Sequence, residues 1–423
     1  MIWTLGAVPL ALLVIGAPIF LLLLTGGILT FVSFMTVSPM AIHQIMFGGL
    51  ENYALLAIPF FIFAGELMGA AKIADRLIIW VLALIGRMPG SLGVATVGAS
   101  TLIGAISGAS VATVAAVGKS LYPGLIRDGY GQRFSSGLIS SSGAIDILIP
   151  PSIAMILYGA SAEQSIPKLF VAGILPGLLI ALMMVAFVVT RAVQLEIPRT
   201  GKFDLRHFLA TTWFAAPALF MPAFVLGLIY FGYSSPTEAG GFACLYAIIV
   251  GRYLYRSMSW KDVMDAAARS AMLTAQILVI VATAALFSWI LTISGIPRGM
   301  AEWIQALQLS QWSFLILINV ILLAVGCFLD PVSAILVLTP LLMPLVKTVG
   351  IDPIHFGIIM CANVAIGMFT PPFGLNIFVA RSVLGVPLET IYRGVLPFAV
   401  VQIIALLIIT YWPELSLILT RSI

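Results

Sequence analysis

Charge is what this sequence has least of. Asp, Glu, Lys and Arg together make up 9% of the 423 residues, whereas a soluble domain carries about 25%. Hydrophobic residues make up 61%, and the mean hydropathy is +1.16. Such a chain is solvated by lipid over most of its length, so the composition predicts an all-α polytopic membrane protein.

Several kinds of chemistry are missing as well. The three cysteines and three histidines are scattered, with no spacing typical of a disulfide framework or a metal site. The net charge of +4 comes without a basic cluster of the kind that binds nucleic acid. Neither a P-loop nor the H-E-x-x-H and G-x-S-x-G motifs occur. We therefore expect no enzymatic activity, no organic cofactor and no nucleic-acid partner.

The N-terminal stretch Met1–Met35 has no basic n-region and is too long for the apolar region of a signal peptide. We expect it to be retained membrane structure. Its topology is open between one tilted helix and two short helices around Gly16-Ala17-Pro18.

Basic residues are concentrated in three stretches, 119–133, 191–206 and 252–269, which the positive-inside rule assigns to the cytoplasm. Segments 92–118 and 311–347 must then each enter and leave by one face. Segment 92–118 is too short for two crossings of a hydrocarbon core about 30 Å thick. The sequence therefore predicts two re-entrant helical hairpins that enter from opposite faces.

A Pro-Pro pair interrupts an apolar span twice, at Pro150-Pro151 and, 221 positions later, at Pro371-Pro372. Further residues match at the same offset, including a proline and a glycine: Leu121, Pro123, Gly129, Ala144 and Ile145 pair with Leu342, Pro344, Gly350, Ala365 and Ile366. This pattern predicts an inverted repeat with two broken transmembrane helices, 134–160 and 355–380. Broken spans at matched places are typical of the binding site of a secondary transporter.

Proline cannot donate a backbone hydrogen bond, so each break frees carbonyls that a cation can bind, while half-helix N-termini suit an anionic substrate. Oxygen ligands suit a hard cation such as Na⁺. The candidate cation ligands lie at the hairpin turns and breaks: Ser107, Ser110, Ser142, Asp330, Asn363, Gly367 and Thr370. The candidate substrate ligands are Asp146, Ser152, Gly374 and Asn376.

Other interpretations of these residues stay open. Asp330 in a turn that reaches water would only cap the next helix, and the small residues of 104–113 would serve close helix packing. Arg381 is better explained as a positive-inside anchor than as a substrate ligand. An intramembrane aspartyl protease using Asp146 and Asp330 is disfavoured, because such an enzyme holds both carboxylates together on continuous helices. A channel is disfavoured by the paired hairpins and broken spans.

Six short blocks give the chain a family resemblance: Leu50–Phe61, Gly104–Ser110, Ser142–Ile153, Ser235–Ala239, Leu329–Pro331 and Phe369–Gly374. With these blocks the chain resembles, over essentially its whole length, the large membrane subunit of tripartite ATP-independent periplasmic (TRAP) transporters. Ser235 stands where the family motif usually has threonine, and we expect that exchange to be benign.

The resemblance implies Na⁺-driven import of an organic anion across a bacterial inner membrane. It also implies two partners, a small membrane subunit and a periplasmic solute-binding protein. The implied substrates are carboxylates such as a C4-dicarboxylate, sialic acid, or another carboxylated sugar or keto acid. The alternative is another ion-coupled anion carrier that works without a binding protein.

The implied fold is an elevator, in which hairpins and broken helices move as a transport domain against a static scaffold. Applied to this sequence, the division has five parts: scaffold helices and a first amphipathic arm at 1–90, transport repeat 1 at 91–160, central scaffold, connector and second arm at 161–310, transport repeat 2 at 311–381, and a C-terminal helix at 382–423.

Overall fold

The computed structural model describes residues 1, 3–35, 37–86, 88–197, 204–306 and 310–422. Over these residues the chain is helical, with no β-strand. Two basic residues of the predicted connector, Arg199 and Lys202, lie outside the described residues.

Twenty α-helices make up the described parts of the chain. In order they are α1 (Val8–Val14), α2 (Ile19–Phe34), α3 (Met40–Gly48), α4 (Ala57–Ala70), α5 (Ile73–Ile85), α6 (Ser91–Ser107), α7 (Ser110–Arg127), α8 (Gly131–Ser142), α9 (Ile153–Ala162), α10 (Ile166–Gln194), α11 (Leu205–Tyr230), α12 (Pro236–Ile248), α13 (Trp260–Ile293), α14 (Ile296–Ala306), α15 (Gln311–Gly326), α16 (Pro331–Val349), α17 (Pro353–Gly367), α18 (Leu375–Leu384), α19 (Leu388–Tyr411) and α20 (Glu414–Leu417).

Six helical segments among the described residues are long and apolar enough to cross a membrane. They are Tyr53–Ala70, Ile166–Gln194, Leu205–Tyr230, Trp260–Ile293, Pro331–Val349 and Leu388–Tyr411. At 1.5 Å per residue the 34-residue α13 is about 51 Å long, so it must tilt or extend beyond a hydrocarbon core of about 30 Å. The helical content and these spans fit the predicted membrane fold.

The N-terminal segment forms two short helices rather than one. α1 ends next to Gly16, which has a positive φ of 78°, and Pro18 stands just before α2. The two helices pack against each other. The chain reverses here because glycine adopts a positive φ without strain and proline cannot continue a helix.

Hairpin 1 (α6 and α7) has its turn at Gly108-Ala109, and hairpin 2 (α15 and α16) has its turn at 327–330. Both turns lie where the sequence predicts them. The assumed end of the first hairpin is wrong, because α7 continues past Lys119 to Arg127. Each helix of hairpin 1 is therefore about 26 Å long, so length alone does not make it re-entrant.

The order of elements from α5 to α10 repeats from α14 to α19. The two amphipathic arms, α5 and α14, begin at Ile73 and Ile296, which are 223 positions apart, close to the 221-residue spacing of the Pro-Pro pairs. Each copy then has a helical hairpin, a helix interrupted at Pro-Pro and a long helix. Both Pro-Pro bonds are cis.

The two copies pack on each other reciprocally. α18 of the second copy packs on α7 of the first hairpin, and α9 of the first copy packs on α16 of the second hairpin. Likewise α8 packs on α19, and α17 packs on α10. Exchange of equivalent contacts is the property of a two-fold relationship. The broken helices of both copies therefore meet in one bundle.

Candidate functional site

The first broken helix changes conformation three times over a short distance. α8 ends at Ser142, a 3-10 turn covers Gly143–Ile147, residues 148–152 are irregular and α9 begins at Ile153. All residues from 141 to 152 are buried. The backbone carbonyls of residues 148–151 accept no hydrogen bond from any described residue. The break therefore leaves four successive peptide oxygens without a protein donor.

The tip of hairpin 1 lies directly on this break. A β-carbon at Gly108 would stand 3.1 Å from the Pro151 carbonyl oxygen, and one at Gly143 would stand 3.1 Å from the Ser110 carbonyl oxygen. The Ser152 hydroxyl donates to the Ile147 carbonyl at 2.7 Å. Candidates Ser110 and Ser152 thus lie on two sides of the same contact, where only glycine allows so close an approach of the backbones.

Asp146 is the charged residue of this contact. It is fully buried, and neither carboxylate oxygen has a hydrogen-bond partner among the described residues. A β-carbon at Gly104 of α6 would overlap this carboxylate. Thr113 of α7 lies close to the carboxylate from the other side. An unpaired buried carboxylate is costly and calls for a cation or a proton.

The second broken helix is more open than the first. α17 ends at Gly367, residues 368–374 are irregular and α18 begins at Leu375. Pro372 and Phe373 are exposed. The Thr370 hydroxyl donates to the Ile366 carbonyl at 2.7 Å. Some carbonyls of this break accept hydrogen bonds from the protein. That of Met368 accepts from the backbone N–H of Asn376 at 2.9 Å.

Asp330, at the tip of hairpin 2, is the N-cap of α16. Its carboxylate accepts from the backbone amides of Val332 and Ser333 at 3.1 and 3.3 Å, and from the Ser333 hydroxyl. Asp330 therefore caps α16, as one of the two interpretations of this residue predicts. Asp330 also lines a cavity of about 420 Å³, beside Phe373 of the second break and Gln276 of α13. The same carboxylate thus caps a helix and faces a cavity.

Asn376 connects the two copies. Its side-chain amide lies 2.7 Å (Nδ2) and 3.1 Å (Oδ1) from the Ser110 hydroxyl, and Nδ2 donates to the Ser140 carbonyl at 3.1 Å. Ser110 is 266 positions away in sequence. The structure therefore brings a candidate cation ligand and a candidate substrate ligand into direct contact.

Ser142 and Asn363, which match in the repeat, lie where a broken helix crosses its own hairpin. The Ser100 hydroxyl of α6 donates to Ser142 at 3.2 Å, and Asn363 donates to Asn319 of α15 at 2.7 Å. The Oδ1 atom of Asn363 is buried and has no partner among the described residues. Asn363 lies within α17, whereas Ser142 is the last residue of α8, directly before the 3-10 turn of the first break.

Sequence reasoning missed four polar residues near the site. Asn319 extends the second network by donating to Thr410 at 3.1 Å. Gln402 of α19 donates to the Ser141 carbonyl at 3.0 Å. Thr113 faces Asp146, and Gln276 lines the cavity. The available signal was an uncharged polar residue within an apolar helix, which is costly in lipid unless it has a partner.

Paired broken helices, each with a hairpin tip against its break, are typical of a polytopic membrane transporter. The family model for the tripartite ATP-independent periplasmic transporter, DctM component, matches residues 7–415. The chain is 42% identical over 393 residues to the C4-dicarboxylate TRAP transporter large permease protein DctM of Pseudomonas aeruginosa, covering 93% of this chain and 92% of the relative. It is 36% identical over 410 residues to the 2,3-diketo-L-gulonate TRAP transporter large permease protein of Escherichia coli, covering 96% and 95%.

The chain therefore belongs to the DctM family, the large permease subunits of TRAP transporters. The fold is also similar to that of Neisseria gonorrhoeae MtrF, an antimetabolite efflux pump. The TM-score is 0.63 at 14% identity, and the match covers 96% of this chain and 94% of that one. At that identity the likeness concerns the fold alone.

Proposed function

We propose that this chain is the carrier subunit of a Na⁺-coupled importer that moves an organic anion across the inner membrane of a bacterium. A small membrane subunit packs against its scaffold, and a periplasmic binding protein delivers the substrate. Membership of the DctM family supports both partners. The two relatives above are named for a C4-dicarboxylate and for 2,3-diketo-L-gulonate, so a carboxylate is the proposed substrate class.

The observation that carries the proposal is the row of unbonded carbonyls in the buried first break. An unsatisfied buried polar group costs roughly 1–3 kcal/mol, so four of them at 148–151 need a ligand. A cation is the matching kind of ligand, because peptide carbonyls are oxygen acceptors and Asp146 adds an unpaired carboxylate to the same buried segment. Ser107 and Ser110 supply hydroxyl oxygens from the facing hairpin, and Ser142 supplies one from the broken helix itself.

Asp146 therefore belongs with the proposed cation ligands and not with the substrate ligands. A carboxylate substrate carries the same sign of charge as Asp146, and like charges in a medium of low dielectric repel strongly. A bound Na⁺ between them reverses the sign of the interaction. Na⁺ at the first break therefore couples cation binding to the nearby anion.

The second break suits the organic anion. Its cavity of about 420 Å³ lies within the range of roughly 300–1,000 Å³ that is typical of small-molecule sites. α18 begins at Leu375, which lines this cavity and follows the N-cap Gly374, and a helix N-terminus favours an anion. Gln276 supplies a neutral donor from α13. Asp330, Asn363, Gly367 and Thr370 stay candidate ligands for a second Na⁺ here.

We further propose that both hairpins are re-entrant, with their tips midway across the membrane. Hairpins and broken helices then move together as an elevator, because reciprocal packing ties them into one unit. The scaffold against which they move comprises α2, α4 and α11–α13.

The test is uptake into proteoliposomes that contain both membrane subunits, with the binding protein supplied outside. Asp330→Asn should abolish uptake or raise the half-saturating Na⁺ concentration about tenfold, since a bond to a charged group contributes roughly 1.5–3 kcal/mol. Asparagine caps a helix as well as aspartate does, so α16 keeps its start. Unchanged uptake across the Na⁺ titration removes Asp330 from the site.

Asp352→Asn is the matched control. Asp352 caps α17 through the backbone amides of Ile354 and His355 at 2.8 and 3.1 Å, but is exposed. It should leave the Na⁺ dependence unchanged. Full uptake without a Na⁺ gradient contradicts the coupling, and full uptake without the binding protein favours an independent carrier. Counterflow of labelled substrate separates a carrier from a channel.

A further inference from the structure

A second cavity lies away from the broken helices, between α5, α11 and the turn that follows α12. Its volume is about 340 Å³. Arg76 of α5 is the one charged residue in its lining, and the other lining side chains include Trp213, Phe214, Leu254 and Tyr255. An arginine in an otherwise aromatic and aliphatic pocket resembles a site built for one anionic group.

The guanidinium of Arg76 contacts two aromatic rings. Its central carbon lies 4.0 Å from the ring centroid of Phe214 and 3.6 Å from that of Tyr255. The Tyr255 hydroxyl donates to the Phe214 carbonyl at 3.1 Å, which links the two walls. The two ring centroids are 6.1 Å apart, so the rings flank the guanidinium at an angle and not on opposite faces, and its N–H groups stay available to a ligand on the open side.

The positive charge of Arg76 has no counter-charge in the described part of the chain. Its Nη1 atom is buried without a hydrogen-bond partner, and no described carboxylate forms an ion pair with it. The adjacent Asp75 instead accepts from Ser120 of α7 at 3.2 Å. Nearby, the Nε atom of Arg252 is also buried and without a partner. The Arg76 side chain is only partly buried, but a buried N–H donor without a partner is costly, so an anion that accepts from Nη1 fits this place.

The surroundings select the kind of anion. Lys72, Arg252 and Arg256 lie at the same end of the molecule, which the positive-inside rule assigns to the cytoplasmic side. Trp213, at the rim of the pocket, is 85% exposed. Phe220, two turns farther along α11, is 55% exposed. The exposed apolar face of α11 thus runs from the pocket towards the middle of the membrane, where the acyl chains of a lipid would lie.

We propose that this pocket binds the phosphate of an anionic phospholipid of the cytoplasmic leaflet. The phosphate accepts from the edge of the Arg76 guanidinium, Trp213 lies at the level of the headgroup, and the acyl chains follow the exposed face of α11. A carboxylate from a partner subunit is the competing occupant, and the continuous apolar face beside the pocket favours the lipid.

The position gives the lipid a structural role. α5 packs on both α11 and hairpin 1. Trp80 of α5 donates to Thr212 of α11 at 2.9 Å. A lipid phosphate on Arg76 adds a second link between α5 and α11, at the junction with the first hairpin. This inference does not depend on Na⁺ coupling or on the substrate.

Native mass spectrometry and thermal unfolding of the full chain in detergent test the proposal. The probes are phosphatidylglycerol, phosphatidylcholine with the same acyl chains, and inorganic phosphate. Phosphatidylglycerol should bind and stabilise the wild-type chain more than either other probe. Arg76→Gln should weaken that binding about tenfold, the effect of losing one charge-assisted contact. Arg298→Gln, the control, removes an exposed arginine of α14 and should change nothing.

Equal binding of phosphatidylglycerol to Arg76→Gln and to the wild type overturns the proposal. So does inorganic phosphate that stabilises as well as the lipid, or displacement of the lipid by the small membrane subunit. If Arg76→Gln does not fold, a photoactivatable phosphatidylglycerol decides on the wild type alone. Crosslinks within 209–217 or 250–256 support the site, and crosslinks only elsewhere contradict it.

Discussion

The two breaks share a double proline and a hairpin tip, yet their surroundings differ. The first is buried throughout residues 141–152, whereas the second has exposed residues at Pro372 and Phe373 and opens on a cavity of about 420 Å³. The first carries its carboxylate on the broken helix, at Asp146. The second carries it on the hairpin tip, at Asp330, where helix capping satisfies it.

The two copies also differ where a helix of the hairpin crosses the broken helix. In the second copy, Gly326 of the hairpin and Gly367 of the broken helix bring two backbones together. In the first copy the same crossing pairs Gly104 with Asp146, so a carboxylate takes the space that backbone fills in the other. A duplicated backbone thus provides two breaks, and single side chains give each break a different chemistry.

The largest expected effect is at the backbone crossing of the second copy. In Gly367→Ala the new β-carbon overlaps the carbonyl group of Gly326, which cannot rotate away as a side chain does. Overpacking of this kind costs about 1–3 kcal/mol or more, and we expect loss of uptake. Thermal unfolding and proteoliposome uptake measure it. Gly241→Ala in α12 is the control, because no atom lies within 4 Å of the added β-carbon. If both variants behave like the wild type, the backbones of Gly326 and Gly367 are not in close contact.

The crossing of the first copy should respond differently. In Gly104→Ala the overlap is mainly with the Asp146 side chain, although the Asp146 α-carbon lies at 2.8 Å. Asp146→Gly should therefore partly restore the stability lost in Gly104→Ala, with a coupling of roughly 0.5–3 kcal/mol between the two changes. Unfolding of the two single variants and the double variant gives that coupling. Strictly additive losses show that the carboxylate is not what fills the space.

The next effect is on the unpaired charge. Asp146→Asn removes a buried carboxylate that lacks a partner, so without Na⁺ it should raise the unfolding free energy by roughly 1–3 kcal/mol. It should also lower the stabilisation by Na⁺ to the part that the proposed second site contributes. Asp330→Asn, whose carboxylate is already satisfied, should change the Na⁺-free stability little. Thermal unfolding with and without Na⁺ decides, and destabilisation by Asp146→Asn without Na⁺ argues against an unpaired charge.

A smaller effect is expected where the copies join. Asn376→Ala leaves Ser110 and the Ser140 carbonyl without their partner, at a cost of roughly 1–2 kcal/mol. Asn319→Ala removes bonds confined to the second hairpin, α17 and α19, and serves as the comparison. Stability should fall similarly in both, but uptake should fall more in Asn376→Ala. Equal uptake in the two variants shows that the link between copies has no part in transport.

The smallest effect lies outside both breaks. Ser235 and Glu238 form a capping box at the start of α12, with the Ser235 hydroxyl accepting from the Glu238 amide at 3.3 Å. Threonine presents the same hydroxyl, so Ser235→Thr should cost less than about 0.5 kcal/mol, whereas Ser235→Ala should cost about 1 kcal/mol. Thermal unfolding compares them. A threonine variant as unstable as the alanine variant contradicts the capping explanation.

Elements that depend on local chemistry were predictable from sequence. Gly108 and Asp330 mark turns because glycine tolerates a positive φ and aspartate caps helices. The start of α13 at Trp260 is also marked in the sequence, because Ser259 and Asp262 form a capping box. Hydropathy alone places the start of this span later, since the first turns of α13 are polar.

The sequence by itself determined that there are two interrupted spans and where each is interrupted, because a double proline lacks its N–H donors in any fold. It also determined membrane residence, since so few charged residues leave no other solvent. Only the tertiary structure decided which break is sealed and which is open. Burial depends on packing between helices that are distant in sequence. Asn376 binds Ser110 in this way, and Phe214 and Tyr255 contact Arg76. Hydropathy does not predict these contacts, because apolar residues that face lipid and apolar residues that face protein have the same hydropathy.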